Sequence, residues 1–155
     1  NVDITVDTSD ELREISKAMF GINHRYHNNA YSSWNATEKK IEDKFNAYVK
    51  EAKFGSIRYP GGTVSNLFDW KRSIGPAEKR KKTVHGLPET SDPITPNFGL
   101  DEAMTWIYDD IGAEAVWVYG MGQGSAADAA DLAAHPGCAD HGADPGQKDP
   151  ARRIY

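Results

Sequence analysis

A single cysteine, Cys138, excludes an internal disulfide framework and says nothing about redox compartment. No apolar run approaches the ~20 residues that a membrane-spanning helix needs, so no membrane partner is expected. Charge of one sign is not segregated either. The net charge is −5 with acidic and basic residues interspersed, so nucleic acid is not an expected partner. The nearest thing to a basic patch is Lys79, Arg80, Lys81 and Lys82, a run that is more often a solvated loop. Apolar residues make up only 39% of the 155, enough for one core with little surplus. An initiator Met is missing as well: Asn1 is what a processed, secreted chain would show first.

What is present alternates in kind. Val2 to Val6 interleaves apolar and polar residues as a half-buried strand does. Met19 to Asn23 is short, apolar and broken by Gly21, which predicts a buried strand, and a polar, aromatic loop runs from His24 to Asn35. From Thr37, a candidate N-cap, Ile41, Phe45, Tyr48, Val49 and Ala52 recur at helical spacing until Gly55. Ser56 to Tyr59 reads as the next strand, stopped by Pro60-Gly61-Gly62. A long loop to Asn97 precedes a helix over Leu100 to Ile111, closed by Gly112. Ala115 to Tyr119 is a strand, and Ser125 with Asp128 opens an Ala-rich helix reaching about Ala134. Strand and helix in alternation predict a parallel sheet with right-handed crossovers. Residues 135–155, built from Pro, Gly, Asp and charge, are expected to form an irregular tail.

Three stretches resemble one family. Ile15 to His24 is similar to the first barrel strand of retaining glycosidases of the α-L-arabinofuranosidase type. Ile57-Arg58-Tyr59-Pro60-Gly61-Gly62, with Phe68-Asp69-Trp70-Lys71, Ile74-Gly75-Pro76 and Arg80, resembles its second strand and the loop that follows. Asn97 to Glu102, Gly112 to Glu114 and Gly122 to Ala126 are similar to its second helix, third strand and third helix start. The resemblance covers about residues 12–134 and implies an α/β fold: a partial (β/α)8 barrel of about three β/α units behind an N-terminal strand. In that family Val2 to Val6 would join an accessory β-sandwich. A domain over residues 1–134 with a tail at 135–155 is therefore expected.

The resemblance also implies the chemistry. Such enzymes use a Glu after an Asn at the fourth strand as acid/base and a second Glu near the seventh as nucleophile. Retention requires the two carboxylates about 5–5.5 Å apart. No Asn-Glu pair occurs in this sequence, so no catalytic residue is assigned. Asn23-His24 stands where arabinofuranosidases usually have Glu-His, and Thr63 where they usually have Asn. Both changes count against an arabinofuranoside as the sugar. The implied partner is a plant-type polysaccharide or oligosaccharide, with no cofactor and no metal.

The substrate-contacting candidates are Asn23, His24, Arg58, Tyr59, Gly61, Gly62 and Trp70. Arg58, at a strand's C-terminal end, either bonds a sugar hydroxyl, orients a carboxylate or forms a structural ion pair. Asn23 and His24 are either sugar donors or a buried, satisfied pair, and Gly61-Gly62 either admits a ligand or makes a tight turn. Trp70, Trp34, Tyr31 and Tyr59 can stack on a sugar or pack in the interior, whereas Trp106 and Trp117 read as core. Asp101-Glu102 and Asp109-Asp110 read as solvated helix faces, since neighbours on a helix do not face each other. His135, Cys138 and His141, with Asp140 and Asp144, have the residue types of a metal site but no rigid frame. The rival readings are a non-catalytic carbohydrate-binding module and a small metal-binding protein. An open sheet edge in a partial barrel would also favour self-association.

Overall fold

The computed structural model describes residues 2–9, 13–84 and 92–135. Its regular elements are β1 (Gly21–Asn23), β2 (Trp34–Asn35), β3 (Lys40–Ile41), α1 (Asp43–Ala52), β4 (Ser56–Tyr59), α2 (Leu100–Met104), β5 (Glu114–Trp117) and α3 (Ala126–Ala134). The order is the expected alternation, and β1, β4 and β5 form one sheet in which both pairings are parallel. β2 and β3 make a separate antiparallel pair. The ladder continues past the strand ends, with His24 N–H donating to Arg58 O (2.7 Å) and Val118 N–H to Tyr59 O (2.8 Å).

The two faces of the sheet differ. On one face Ile57 and Tyr59 are fully buried and Trp117 nearly so, against Phe98, Leu100, Trp106 and Ile107. Because side chains alternate along a strand and register partners share a face, Asn23, Arg58 and Val116 project together from the other side. That second face also carries Gly21, Ser56 and Glu114, and of these residues only Ser56 is buried. A parallel sheet normally has both faces covered. Here one is covered among the described residues.

Several expectations change. Val2 to Val6 forms no strand: Val2, Ile4 and Val6 are exposed, because no described strand pairs with them. The first helix begins at Asp43 rather than near Thr37, since Lys40 and Ile41 are committed to pairing with Asn35 and Trp34. Thr37 N–H instead donates to Asn35 Oδ1 in a local turn (3.1 Å), and Tyr48 lies on the exposed side of α1. The helix ends in a left-handed Lys53, not in Gly55. Gly55 is required for a different reason: a Cβ there would stand 2.2 Å from the Lys17 carbonyl oxygen.

Past Met104 the second helix widens into a π-helical run, Thr105–Ile111, before Gly112. The Ser125 cap holds, its hydroxyl accepting from Asp128 N–H at 3.1 Å. The long segment after β4 is organised by short 3₁₀ turns and by a bridge between Thr83 and Ile94. Residues 136–155, with the Cys138, Asp140, His141 and Asp144 cluster, lie outside the described residues. Among the described residues no His/Cys/Asp/Glu group is placed to hold a metal ion, and no helix is long and apolar enough to cross a membrane.

Candidate functional site

Parallel strands end together, and that places Asn23, at the end of β1, beside Arg58 of β4. Arg58 Nη1 donates to Asn23 Oδ1 at 3.0 Å. The next residues turn sharply. Gly61 has φ +137°, a conformation that side chains rarely adopt, and a Cβ there would meet Val64 at 2.8 Å and the Arg25 stem at 3.1 Å. At Gly62 a Cβ would stand 3.8 Å from Arg58 Nη1. Gly61 therefore lets Val64 and the Arg25 stem pack against the turn, while Gly62 lies at ordinary contact distance from Arg58.

Arg25 was not singled out from the sequence, and its guanidinium carbon lies 4.6 Å from the centroid of the Tyr31 ring. Tyr31 itself is 52% exposed, so one of its surroundings is solvent. It is carried by Asn28–Ser32, a stretch with φ between 48° and 63°. Left-handed backbone costs roughly 1–2 kcal/mol per non-glycine residue. Asn97 Nδ2 donating to Asn29 Oδ1 (3.0 Å) and Ser33 Oγ donating to Ala30 O (2.6 Å) hold the segment. Such strain often accompanies ligand sites. A cleft of about 410 Å³ opens here, lined by Ile22, Asn23, His24, Tyr31, Ser33 and Phe45 among others.

The remaining candidates sit differently. His24 is 5% exposed and packs among Phe45, Phe98 and Trp106, touching the cleft only from its wall. Its Nε2 lies 3.2 Å from Ser33 Oγ, and burial lowers its pKa from 6.5 to about 4, so it is neutral near pH 7. Tyr59 is fully buried and its hydroxyl donates to Phe98 O at 2.8 Å. Trp70 and Trp34 are buried too, Trp70 lying edge-on to His135. These three are buried, whereas Tyr31 is half-exposed with Arg25 over its ring. Trp106 and Trp117 are core, as their place on regular elements predicts.

Two readings of charge need correction. Arg80 is not part of a solvated loop: its side chain is 1% exposed. Its guanidinium pairs bidentately with Glu102 (2.7 and 2.8 Å) and donates to the carbonyls of Gly75 and Pro96. Glu102 is accordingly no solvated face, and it also accepts from Gly99 N–H at 2.8 Å. Asp101 accepts from Gly75 N–H at 2.6 Å. This clamp ties the loop after β4 to the start of α2. A second cleft, about 390 Å³, lies beside it, bordered by Trp34, Trp106, Lys40, Asp101, Glu102 and Asp110. Lys40 there is paired with Glu38 and Asp43, and Asp110 is paired with Lys50 and accepts from the Asn46 amide.

The fold and the site together define an α/β protein whose polar groups gather at the C-terminal ends of parallel strands. Residues 48–140, more than half of the chain, match the alpha-L-arabinofuranosidase 1 domain, and the chain belongs to that family. It is 32% identical over 110 residues to an intracellular exo-alpha-(1->5)-L-arabinofuranosidase of Streptomyces lividans, covering 66% of this chain and 16% of that protein. Over 79 residues it is 33% identical to alpha-L-arabinofuranosidase C of Emericella nidulans, covering 50% of this chain and 15% of the relative. In three dimensions it is similar to a crystallised arabinofuranosidase at TM-score 0.68 and 24% identity, over 80% of this chain and 27% of the other. A family 51 arabinofuranosidase from Xanthomonas axonopodis pv. citri gives 0.67 at 21% identity, over 76% and 25%. The structural likenesses speak for the fold. The chain spans about a sixth of the length of these curated relatives and about a quarter of these solved structures.

Proposed function

We propose that these residues are the first three β/α units of an arabinofuranosidase-type (β/α)8 barrel, and that the strand-end cleft binds sugar without cleaving it. The carrying observation is the Asn23–Arg58 pair, hydrogen-bonded at the C-terminal ends of adjacent parallel strands on the uncovered face. Barrel folds place their sites on that side. The donors left on Arg58 and Asn23 can serve sugar hydroxyls, the Gly61-Gly62 turn permits close approach, and Tyr31 offers an amphipathic ring. Among the described residues no Asp or Glu lines this cleft, whereas retaining hydrolysis needs two carboxylates. The ligand class proposed is a plant-type polysaccharide or oligosaccharide.

The test pairs turnover with binding. Purified 155-residue chain is assayed on a panel of aryl glycosides, α-L-arabinofuranoside included, while titration calorimetry follows binding of the corresponding free sugars. Binding without turnover is the expected result. Turnover that tracks the protein through purification would overturn the non-catalytic half of the reading, and absence of binding would overturn the other half. The uncovered sheet face also supports self-association, which sedimentation velocity measures directly. An extracellular location is proposed from the resemblance, while two relatives carry "intracellular" in their names. Fractionation of the source cells settles that point.

A further inference from the structure

His24 and the strained segment that follows it form one connected unit. Five successive non-glycine residues, Asn28–Ser32, hold φ between 48° and 63°, and Ala30 among them is fully buried. Ser33 Oγ donates to Ala30 O at 2.6 Å. A hydroxyl carries a single proton, so the 3.2 Å contact between Ser33 Oγ and His24 Nε2 is an N–H donated by the imidazole. That bond fixes the neutral tautomer: Nδ1 is the basic nitrogen, and a proton taken up in acid goes there. The ring packs against Phe45, Phe98 and Trp106 at centroid distances of 5.5, 5.4 and 5.0 Å. Where it reaches the cleft, the wall is His24 itself with Ala30, Tyr31, Ser32 and Ser33. Bringing water to the ring therefore means moving that segment.

We infer that His24 and Ser33 form an acid-released latch: protonation of His24 frees Asn28–Ser32 and carries Tyr31 out of the cleft wall while the sheet and helices stay folded. The inference goes beyond the sugar-binding reading and does not depend on it. Left-handed backbone is disfavoured outside glycine, so the segment relaxes once this anchor lets go. The charged groups on the surrounding elements are engaged elsewhere: Asp43 with Lys40, Lys50 with Asp110, Glu102 with Arg80, and Asp101 with Gly75 N–H. Arg58 donates to Asn23, Arg25 lies over the Tyr31 ring and Lys44 over the Tyr48 ring, while Glu51 and Asp109 are exposed. Tyr26 and Tyr59 donate to the carbonyls of Val84 and Phe98, and His27 stands edge-on to Tyr31. Burial is what lowers the His24 pKa to about 4 from an ordinary 6.5. As pH falls below 6.5 the opened form takes up the proton first, so acid favours opening, and the bias is complete near pH 4.

The experiment is hydrogen exchange of the full chain followed by mass spectrometry, corrected for the pH dependence of free amides, comparing residues 28–33 with α1. Protection of residues 28–33 is expected to fall about tenfold or more between pH 7 and pH 5. It should also stay below that of α1 and be indifferent to low urea, the marks of local opening. His24→Gln keeps an N–H for Ser33 but does not titrate, so it should hold protection level across that range. His27→Gln should leave the fall in place. Protection of residues 28–33 equal to that of α1 overturns the inference, because the segment then opens only with the whole molecule. A fall that survives His24→Gln, or one that His27→Gln removes, overturns it by assigning the response to another group. Should His24→Gln fail to fold, the imidazole signals of the unaltered chain decide by NMR. A His24 ring that titrates in step with the loss of protection supports the latch. One that titrates near its ordinary value, about 6.5, while residues 28–33 stay protected overturns it.

Discussion

Arg80 and Arg58 end in the same guanidinium in opposite surroundings. Arg80 lies on the packed side, its side chain 1% exposed, its donors spent on Glu102 and on the carbonyls of Gly75 and Pro96. Arg58 lies on the open face, half-buried, with one side-chain hydrogen bond among the described residues, to Asn23. A buried cation is tolerated when every donor and its charge are matched, and it then fastens neighbouring segments. A half-buried strand-end cation with fewer described hydrogen bonds is expected to contribute less to holding the fold. Among the described residues the packed face carries the buried contacts, and the other face carries few.

The sharpest way to break that contrast is to truncate both arginines. Arg80→Ala should destabilise the chain by about 3–5 kcal/mol in urea unfolding followed by circular dichroism, because Glu102 is left without its counter-charge. Arg80→Lys should recover only part of this, since an ammonium cannot supply the fork. The next largest effect is acid sensitivity on the packed side. His24 has a folded pKa of about 4 against an ordinary 6.5, so as pH falls the unfolded chain takes up the proton first. Its contribution is fully present above pH 6.5 and is lost progressively down to about pH 4, a total of roughly 3 kcal/mol. Unfolding free energies measured across that range should slope accordingly, and His24→Gln should flatten the slope. If the slope is unchanged in the variant, His24 is not the group responsible.

Smaller effects sharpen the comparison. Ser125→Ala removes the hydroxyl that caps α3 and should cost about 1 kcal/mol, read as a lowered unfolding midpoint. Arg58→Ala should change stability by only about 0.5 kcal/mol while weakening sugar binding. A stability loss at Arg58 as large as that at Arg80 would make both arginines structural and erase the distinction between the faces.

Much of the frame was readable in the residues. Strand-helix alternation and the apolar runs at Ile57 and Val116 anticipate the parallel sheet, and Ser125 with Asp128 marks the start of α3 to the residue. Failures arose where local pattern met a distant partner. Ile41 fits the helical stripe yet pairs with Trp34, and nothing local announces that pairing. Val2 to Val6 alternates as a strand should, but alternation does not create a partner strand. Tyr59 and Trp70 have the rings for sugar stacking, and both are buried among the described residues, while Tyr31 is half-exposed. Arg25 carried no signal, because its relevance lies in its approach to Gly61.

The sequence by itself determined the composition, the order of elements, the family motifs around Arg58 to Trp70, and the want of an Asn-Glu pair. These are readable because periodicity, caps and turn residues act over a few positions along the chain. Tertiary structure alone decided which of two arginines is buried, since Arg80 and Glu102 meet across 22 residues. It likewise decided that Asn23 and Arg58, 35 residues apart, share an edge. Charge matching and burial depend on which groups are brought together in space. The linear order of residues does not state that distance.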